Sequence, residues 1–231
     1  MSKTDRFLAL YTGGKDSHYA LYIALKVLDL GKPYILNITS SREDLYYLHT
    51  INSKWAQIHS EIMGIEFISR EIRGDREYDE IKEVITRVVS EINAEYIVSG
   101  VVSSNFQKKA LDSIASGLGI KHVAPLWGRN HRDLLIEEVV ERGIGFVIVA
   151  TQAMGLDEEW VGKEISTHKD VEELLRLSSK YSFSPIGEGG EYESFVVKSP
   201  LFKGRRIIAR GEKKWFLSGW GYMRINNVEI V

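Results

Sequence analysis

The chain has 231 residues, of which 44% are hydrophobic and 27% are charged, a balance typical of a globular protein with a substantial core. It contains no cysteine, which excludes disulfides, thiolate metal sites and cysteine nucleophiles and fits a reducing compartment. Thirty Lys and Arg residues against 32 Asp and Glu residues give a net charge of -2, so no global basic field indicates nucleic-acid binding. The longest apolar runs fall far short of the roughly 20 residues that span a bilayer, and we expect a cytoplasmic protein without a membrane segment.

Short apolar strands alternate with amphipathic helices over about the first 150 residues. Strands are predicted at 7–11, 34–38, 65–68, 96–98, 121–123 and 146–150. Helices are predicted from about 20 to 28 and at 50–63, 84–92, 106–118 and 134–142. This alternation predicts a parallel sheet with helices on both faces, in which ligands bind beyond the carboxyl ends of the strands.

The pattern changes after about residue 150. One helical stretch at 170–180 is followed by a glycine-rich acidic loop and several short strand-like runs. We therefore predict an α/β parallel-sheet domain over residues 1–150 and a smaller α+β domain over residues 151–231.

Residues 12–17, with the sequence TGGKDS and here called the glycine loop, join the first predicted strand directly to a helix. Two glycines allow a sharp turn and bring backbone N–H groups close to a ligand, and the amino-terminal end of a helix attracts anions. Lys15 adds a full charge, and Thr12 and Ser17 add hydroxyl groups. This set of donors suits a polyphosphate. The alternative is a plain strand–helix turn capped by Asp16 or Ser17.

Five later segments carry motifs that narrow the function: LHTIN at 48–52, SSNFQK at 103–108, PLWGR at 125–129, GLDEEWVG at 155–162 and GEGGEYES at 187–194. Together with the glycine loop they resemble the diphthine–ammonia ligase family of the PP-loop ATP pyrophosphatases. The resemblance runs over residues 5–205 in the order of the family. This chain differs from the family pattern at Thr12, where serine is usual, at Ser194, where threonine is usual, and at 105–106.

The resemblance implies a Rossmann-type PP-loop (HUP-like) fold and an ATP-dependent amidation. The substrate would be diphthine, a modified histidine of translation elongation factor 2. Its carboxylate would attack the α-phosphate of ATP to give an acyl-adenylate and pyrophosphate, and ammonium would supply the nitrogen that displaces AMP. ATP and Mg²⁺ would be required, and no direct contact with nucleic acid is expected. Homo-oligomerisation stays open.

The resemblance also assigns roles to residues of the glycine loop and of the strand ends. The expected nucleotide-binding residues are Thr12, Gly13, Gly14, Lys15, Asp16, Ser17, Ile38 and Gly100. The expected catalytic residues are Lys15, Asp16, Glu188 and Glu191. Asp16 is also a candidate Mg²⁺ ligand, because Mg²⁺ is commonly held by phosphates and one or two carboxylates; a role as a helix cap is an equal alternative.

The segment 187–194, here called the acidic loop, places three carboxylates within six residues. A solvated turn is the ordinary interpretation of such a loop, and the resemblance favours a substrate site that binds ammonium or the trimethylammonium group of diphthine. The expected substrate-binding residues are His49, Gln107, Lys108, Trp127, Glu188, Gly189, Gly190, Glu191, Tyr192 and Glu193. For the tryptophans, including Trp160, core packing and a cage around a quaternary cation are equal alternatives.

Two other functions remain open at the level of sequence. The same fold could act on tRNA, and a basic cluster at 203–214 is compatible with RNA or with an acidic protein surface. A nucleotide-binding module without catalytic activity is the second alternative, although both the glycine loop and the acidic loop are intact.

Overall fold

The computed structural model of the protein describes residues 5–40 and 52–231. His49, which we predict to bind substrate, lies outside the described residues. The chain divides into two compact units, one that ends at Trp127 and one that spans Gly128–Val231.

The first unit contains a parallel sheet of five strands in the order β3-β2-β1-β4-β5. The strands are β1 (Arg6–Leu10), β2 (Lys32–Ser40), β3 (Glu66–Ile72), β4 (Tyr96–Val98) and β5 (Lys121–Val123). The helices are α1 (Lys15–Lys26), α2 (Ala56–Met63), α3 (Glu77–Ile92) and α4 (Asn105–Gly117). The predicted α/β architecture of this unit is confirmed.

Apolar residues on both faces of the sheet explain why it is covered by helices. Phe7, Leu8 and Ala9 of β1 are fully buried, as expected for the central strand of a parallel sheet. The amphipathic helix α3 contributes its apolar face to the core on one side of the sheet. The buried residues of that face are Ile81, Ile85, Val88, Val89 and Ile92, which recur at helical spacing.

The strand order reverses at β1. The chain places β2 and then β3 on one side of β1, and β4 and β5 on the other side. In sheets of this type, ligands bind in the crevice at the carboxyl ends of the strands where the order reverses. In this unit that crevice lies at the ends of β1 and β4.

The second unit contains an antiparallel sheet and two α-helices, which confirms the predicted α+β class. Its strands are β6 (Gly145–Thr151), β7 (Glu164–Ile165), β8 (Tyr192–Lys198), β9 (Ile207–Phe216) and β10 (Trp220–Ile230). Its helices are α5 (His131–Ile136), which continues as a π-helical turn at Glu137–Glu141, and α6 (His168–Tyr181). Strand β6 pairs with β7, β8 and β10, and β9 pairs with β10.

The structure places the division between the units after Trp127, earlier than the predicted boundary at residue 150. The reason is β6, which is apolar and buried like a parallel strand but pairs only with antiparallel strands of the second sheet among the described residues. A continuous apolar run indicates burial on both faces, and it carries no information about which sheet the strand joins. In the part of the chain that the structure describes, no helix is long and apolar enough to cross a membrane.

Candidate functional site

The glycine loop joins β1 to the amino-terminal end of α1. Gly13 has a φ of +85°, a left-handed conformation that favours glycine. Gly14 is the N-cap of α1 and provides no side-chain hydrogen bond. The interpretation of this loop as a turn capped by Asp16 or Ser17 is wrong, because both residues lie within the first turn of α1. The partial positive charge of the helix end is therefore not offset by a capping side chain.

Two hydroxyl groups determine the shape of the glycine loop. The Ser17 hydroxyl donates to the Gly14 carbonyl oxygen at 2.9 Å, and the Thr12 backbone N–H donates to Ser17 Oγ at 3.3 Å. The Gly14 N–H donates to Thr12 Oγ1 at 3.3 Å, and the two hydroxyl oxygens are 3.3 Å apart. Threonine thus provides at position 12 the hydroxyl that the family's usual serine would provide.

Lys15 and Asp16 form an ion pair at the start of α1. Lys15 is 1% exposed, and its Nζ donates to Asp16 Oδ1 at 2.5 Å. A buried ammonium requires such a charged partner. Among the described residues, no group of three or more His, Asp or Glu is arranged to hold a metal ion. Mg²⁺ at Asp16 would therefore take its other ligands from phosphate oxygens and water.

Gly100 and Ile38 are the two predicted nucleotide-binding residues at the strand ends, and they differ in what they pack against. A Cβ atom added to Gly100 would lie 2.6 Å from the carbonyl carbon of Asp16 and from the backbone nitrogen of Ser17. The end of β4 therefore contacts the glycine loop directly, and only glycine fits there. Ile38 is a buried member of the hydrophobic cluster that α3 and α4 cover, which leaves its backbone as the group available to a ligand.

A chain of four polar side chains, here called the polar chain, extends from the end of β4 to α4. Ser99 Oγ lies 2.8 Å from His122 Nε2, and His122 Nδ1 lies 2.7 Å from Asp112 Oδ1. Asp112 Oδ2 accepts a hydrogen bond from Lys108 Nζ at 2.7 Å, and this Nζ lies 5.4 Å from the centre of the Trp127 ring. The structure thus brings together the predicted residues Lys108 and Trp127, and places Gln107 next to them in the first turn of α4.

The electrostatics of the polar chain follow from burial and from its own hydrogen bonds. Burial lowers the pKa of His122, and the hydrogen bond and charge of Asp112 offset this only in part. Burial alone would raise the pKa of Asp112, but hydrogen bonds from Lys108 and His122 lower it below its ordinary value. At neutral pH the polar chain therefore contains the ionised carboxylate of Asp112 and the uncharged imidazole of His122.

A second polar cluster lies between β1, α1 and α2. The Tyr11 hydroxyl lies 2.7 Å from His18 Nδ1 and 2.8 Å from His59 Nδ1, and all three side chains are buried. Burial raises the pKa of the Tyr11 hydroxyl, while burial and the nearby His59 lower the pKa of His18. His18 is an internal residue of α1, and its hydrogen bond to Tyr11 connects the two ends of the glycine loop. Sequence reasoning missed Tyr11 and His59, which are 48 residues apart.

The acidic loop belongs to the second unit, and its last three residues are the first residues of β8. The Glu191 carboxylate accepts hydrogen bonds from the backbone N–H groups of Ser184 and Gly189, at 2.9 and 2.7 Å. Glu188 lies 3.6 Å from His131 Nε2, and the other nitrogen of that ring lies 3.0 Å from the Ser184 hydroxyl. Glu191 therefore stabilises the conformation of the loop, and His131 is a neighbour of the loop that sequence reasoning missed.

Tyr192 and Trp160 both pack in the interior of the second unit. Tyr192 is buried, its hydroxyl donates to the Pro185 carbonyl oxygen at 2.8 Å, and its ring stacks on Phe146 with the ring centres 6.1 Å apart. Trp160 is also buried, and Lys163 Nζ lies 3.9 Å from the centre of its ring. Core packing explains both rings. Glu193 lies within β8, where it pairs with Ala150 of β6.

Comparisons with known proteins cover both units. The diphthamide synthase N-terminal domain matches residues 5–122, and the diphthamide synthase C-terminal domain matches residues 131–231. The chain is 30% identical to the diphthine–ammonia ligase of Bos taurus over 230 residues, which is 90% of this chain and 84% of that protein. The Homo sapiens protein of the same name is 29% identical, with the same coverage.

Two more distant proteins also match the chain. The diphthine–ammonia ligase of Schizosaccharomyces pombe is 26% identical over 90% of this chain and 36% of that protein. A solved structure described as a predicted subunit of tRNA methyltransferase from Methanocaldococcus jannaschii has 14% identity, covers 85% of this chain and 98% of that one, and superimposes with a TM-score of 0.45. The two domain matches and the vertebrate relatives show that the chain belongs to the diphthamide synthase family, whose matching members are ligases that form a carbon–nitrogen bond.

Proposed function

We propose that this protein amidates diphthine on elongation factor 2 to diphthamide, with ATP as the activating substrate and ammonium as the nitrogen donor. The observation that carries the proposal is the glycine loop, an uncapped helix end with a buried lysine, in a chain of the diphthamide synthase family. The absence of cysteine is compatible with a reducing compartment, and we place the reaction in the cytoplasm.

The glycine loop supplies what adenylation requires of the protein. Cleavage of ATP between its α- and β-phosphates leaves negative charge on pyrophosphate, and fixed donors aimed at that charge lower the barrier. The helix end and the Lys15 ammonium are such donors, and Gly13 and Gly14 would let the phosphates approach the backbone closely. Mg²⁺ bound to the phosphates and to Asp16 would add a further positive charge there.

The reaction would proceed in two displacements. A carboxylate oxygen of diphthine attacks the α-phosphorus, the bond to the β-phosphate oxygen breaks, and pyrophosphate leaves against Lys15. Ammonium loses one proton to become ammonia, which attacks the acyl carbon of the adenylate. The bond to the phosphate oxygen breaks, AMP leaves, and the nitrogen loses a second proton to a base or to solvent. Gly100 and the backbone of Ile38 would hold the nucleotide at the carboxyl ends of the strands.

The acidic loop is the proposed site for the cationic substrates. Glu188, beside His131, and Glu193 would attract ammonium or the trimethylammonium group of diphthine. Glu191 would act with Gly189 and Gly190 to hold the loop, because its carboxylate already accepts two backbone hydrogen bonds. Tyr192 would fix the loop to the core of the unit.

The remaining substrate contacts are assigned by position alone. Lys108, Gln107 and Trp127 lie in the first unit near the carboxyl ends of β4 and β5 and are proposed to contact substrate. His49 keeps the same proposed role on the basis of its motif.

The proposal is tested by incubating the protein with ATP, ammonium and diphthine-bearing elongation factor 2. We expect AMP and pyrophosphate as products, and a mass change at the modified histidine that corresponds to replacement of a carboxylate by an amide. Lys15→Ala should abolish both the formation of these products and the mass change. Formation of ADP and phosphate would contradict the mechanism, stimulation by tRNA but not by the factor would favour a tRNA-modifying enzyme, and tight ATP binding without turnover would favour a non-catalytic module.

A further inference from the structure

The last two strands of the second unit form a long hairpin with an exposed, apolar apex. Strands β9 and β10 pair along their length as far as Phe216 and Trp220, and residues 217–219 connect them. Leu217 is fully exposed and Trp220 is 38% exposed. A group of large apolar side chains that is open to solvent, unlike a single one, marks an interaction site.

Three aromatic rings extend this apex along one face of the hairpin. Phe216 stacks on Trp220 with the ring centres 4.1 Å apart, and the centre of the Tyr222 ring lies 6.2 and 6.0 Å from those of the other two. Gly221 and Met223, which alternate with these residues on β10, are buried on the opposite face. The rings therefore lie on the outward face of the hairpin, where alternation ordinarily places polar residues.

The hairpin also carries a concentration of positive charge. Residues 203–231 contain seven Lys and Arg against two Glu, a net charge of +5, whereas the whole chain has a net charge of -2. Lys214 Nζ lies 4.8 Å from the centre of the Phe216 ring. The guanidinium carbon of Arg224 lies 6.0 Å from the centre of the Tyr222 ring. The rings, the apex and these two cations are here called the hairpin patch, which consists of Lys214, Phe216, Leu217, Trp220, Tyr222 and Arg224. The partner that complements this patch combines apolar side chains with negative charge.

The register of the sheet connects the hairpin patch to the acidic loop. Ala150 of β6 pairs with Tyr222 on one side and with Glu193 of the acidic loop on the other. Directly paired residues point to the same face. Because neighbouring strands are about 4.8 Å apart, the backbones of Tyr222 and Glu193 are about 10 Å apart. The adjacent row is buried on the opposite face and consists of Tyr192, Thr151 and Gly221. The hairpin patch and the proposed substrate loop therefore lie side by side within the second unit.

We propose that the hairpin patch is the docking surface for the protein substrate, and that it binds an apolar and acidic segment of the elongation factor while the modified histidine lies at the acidic loop. This inference rests on the proposed function, because it takes the substrate to be a protein. One modified side chain offers a small contact area, whereas a specific protein complex buries about 800 Å² on each partner. The acidic loop therefore requires a second surface beside it, and Trp, Tyr and Arg are the residues that contribute most to binding at such surfaces.

Single-stranded RNA is the other anionic partner that binds aromatic rings flanked by cations. Two features of this surface favour a protein. The apex is the aliphatic side chain of Leu217, which offers no ring on which a base could stack. The carboxylate of Glu193, in the same row as Tyr222, repels phosphate.

The test measures the dissociation constant of the full chain for diphthine-bearing elongation factor 2 by biolayer interferometry, and kcat for amidation at saturating factor. Leu217→Ser should weaken binding of the factor about 10-fold, the effect of exposing one buried leucine side chain. Trp220→Ala should weaken it about 30-fold, as expected for the anchor of an interface. A docking role predicts that kcat stays near the wild-type value, since neither residue belongs to the glycine loop or to the acidic loop.

Matched controls separate docking from changes in folding and in net charge. Val231→Ser makes the same kind of change at a residue that is 51% exposed at the opposite end of the hairpin, and it should leave binding unchanged. Lys214→Glu should weaken binding of the factor, whereas Lys169→Glu, the same charge change at an exposed residue of α6, should not. Thermal unfolding verifies that Trp220→Ala is folded. Leu217→Ser keeps the test valid if it is not, because the fully exposed Leu217 contributes nothing to the core.

The outcomes separate this inference from the proposed function. If Leu217→Ser and Trp220→Ala bind the factor as tightly as the wild-type protein does, the inference fails, and amidation by the wild-type protein would still support the proposed function. If the factor binds through the hairpin patch and no amide forms, the proposed function fails and the docking surface stands. Failure of the wild-type protein to bind the factor would overturn the inference.

Two other occupants of the hairpin patch would also overturn the inference. One is RNA, shown by binding of a single-stranded oligonucleotide or tRNA that Trp220→Ala abolishes while the affinity for the factor is unchanged. The other is a second copy of the chain, shown by sedimentation if Leu217→Ser dissociates a homodimer while the affinity for the factor is unchanged.

Discussion

The contact between Gly100 and the glycine loop provides the sharpest test of the site. In Gly100→Ala the added Cβ would lie 2.6 Å from the backbone carbon of Asp16 and the backbone nitrogen of Ser17. Carbon atoms pack without repulsion only at about 3.5–4.0 Å, so β4 and the start of α1 must separate by roughly 1 Å. Both partners are backbone atoms, so no side-chain rotation can relieve the clash.

We expect this displacement to reduce the reaction rate strongly and the free energy of unfolding moderately. A misplacement of about 1 Å at a reacting site costs on the order of 100-fold in rate, and overpacking costs about 1–3 kcal/mol of the free energy of unfolding. We expect Gly100→Ala to reduce kcat/KM for ATP by about 100-fold, measured from AMP release with the elongation factor. Urea unfolding should report the loss of stability.

Gly117→Ala is the matched control for this substitution. Gly117 is the last residue of α4, and among the described residues outside its own helical turn no heavy atom lies within 4 Å of an added Cβ. Alanine there should leave kcat/KM unchanged and raise the free energy of unfolding by about 0.5–1 kcal/mol. If Gly100→Ala behaves like Gly117→Ala, the end of β4 does not hold the glycine loop, and the reasoning is refuted.

Three further predictions concern the polar groups around the two loops. Tyr11→Phe removes the hydroxyl that His18 and His59 share and should lower the free energy of unfolding in urea by about 1–3 kcal/mol; an unchanged value would mean that the histidines find other partners at no cost. Glu191→Gln replaces one of two accepting oxygens by an NH₂ group and should impair amidation while leaving the affinity for ATP unchanged; loss of ATP affinity would contradict the assignment of this residue to the acidic loop alone. Because burial lowers the pKa of His18 below its ordinary value, the unfolded chain binds the proton first as the pH falls, so the thermal midpoint should be highest above pH 6.5 and should decrease below it. A midpoint that rises as the pH falls below that value would contradict the neutral state of His18.

The glycine loop could be predicted from sequence because its chemistry is contiguous. Residues 12–17 follow a buried strand and precede a helix, so local rules place them at a strand end without any long-range contact. The acidic loop could be located in the same way, but the direction of each carboxylate could not. The Glu191 carboxylate accepts hydrogen bonds from nearby backbone N–H groups. Its orientation depends on the geometry of the turn and cannot be predicted from amino-acid composition.

Contacts between distant residues were not readable from one sequence. Ser99 and His122 are 23 residues apart, and they meet because β4 and β5 are neighbours in parallel register. Neither residue is part of a motif, and an isolated His in a strand is ordinarily a packed residue. The sheet to which β6 belongs was missed for a related reason, since pairing is decided by tertiary packing and not by the apolar run itself.

His18 and His122 contribute hydrogen bonds, and not charge, to the glycine loop and to the strand end that contacts it. Burial lowers the pKa of both His18 and His122, so each imidazole is uncharged at neutral pH and acts as a hydrogen-bonding group. The positive charge available to a polyphosphate then comes from Lys15 and from the amino-terminal end of α1. The uncharged histidines instead hold the hydroxyls of Tyr11 and Ser99 through hydrogen bonds.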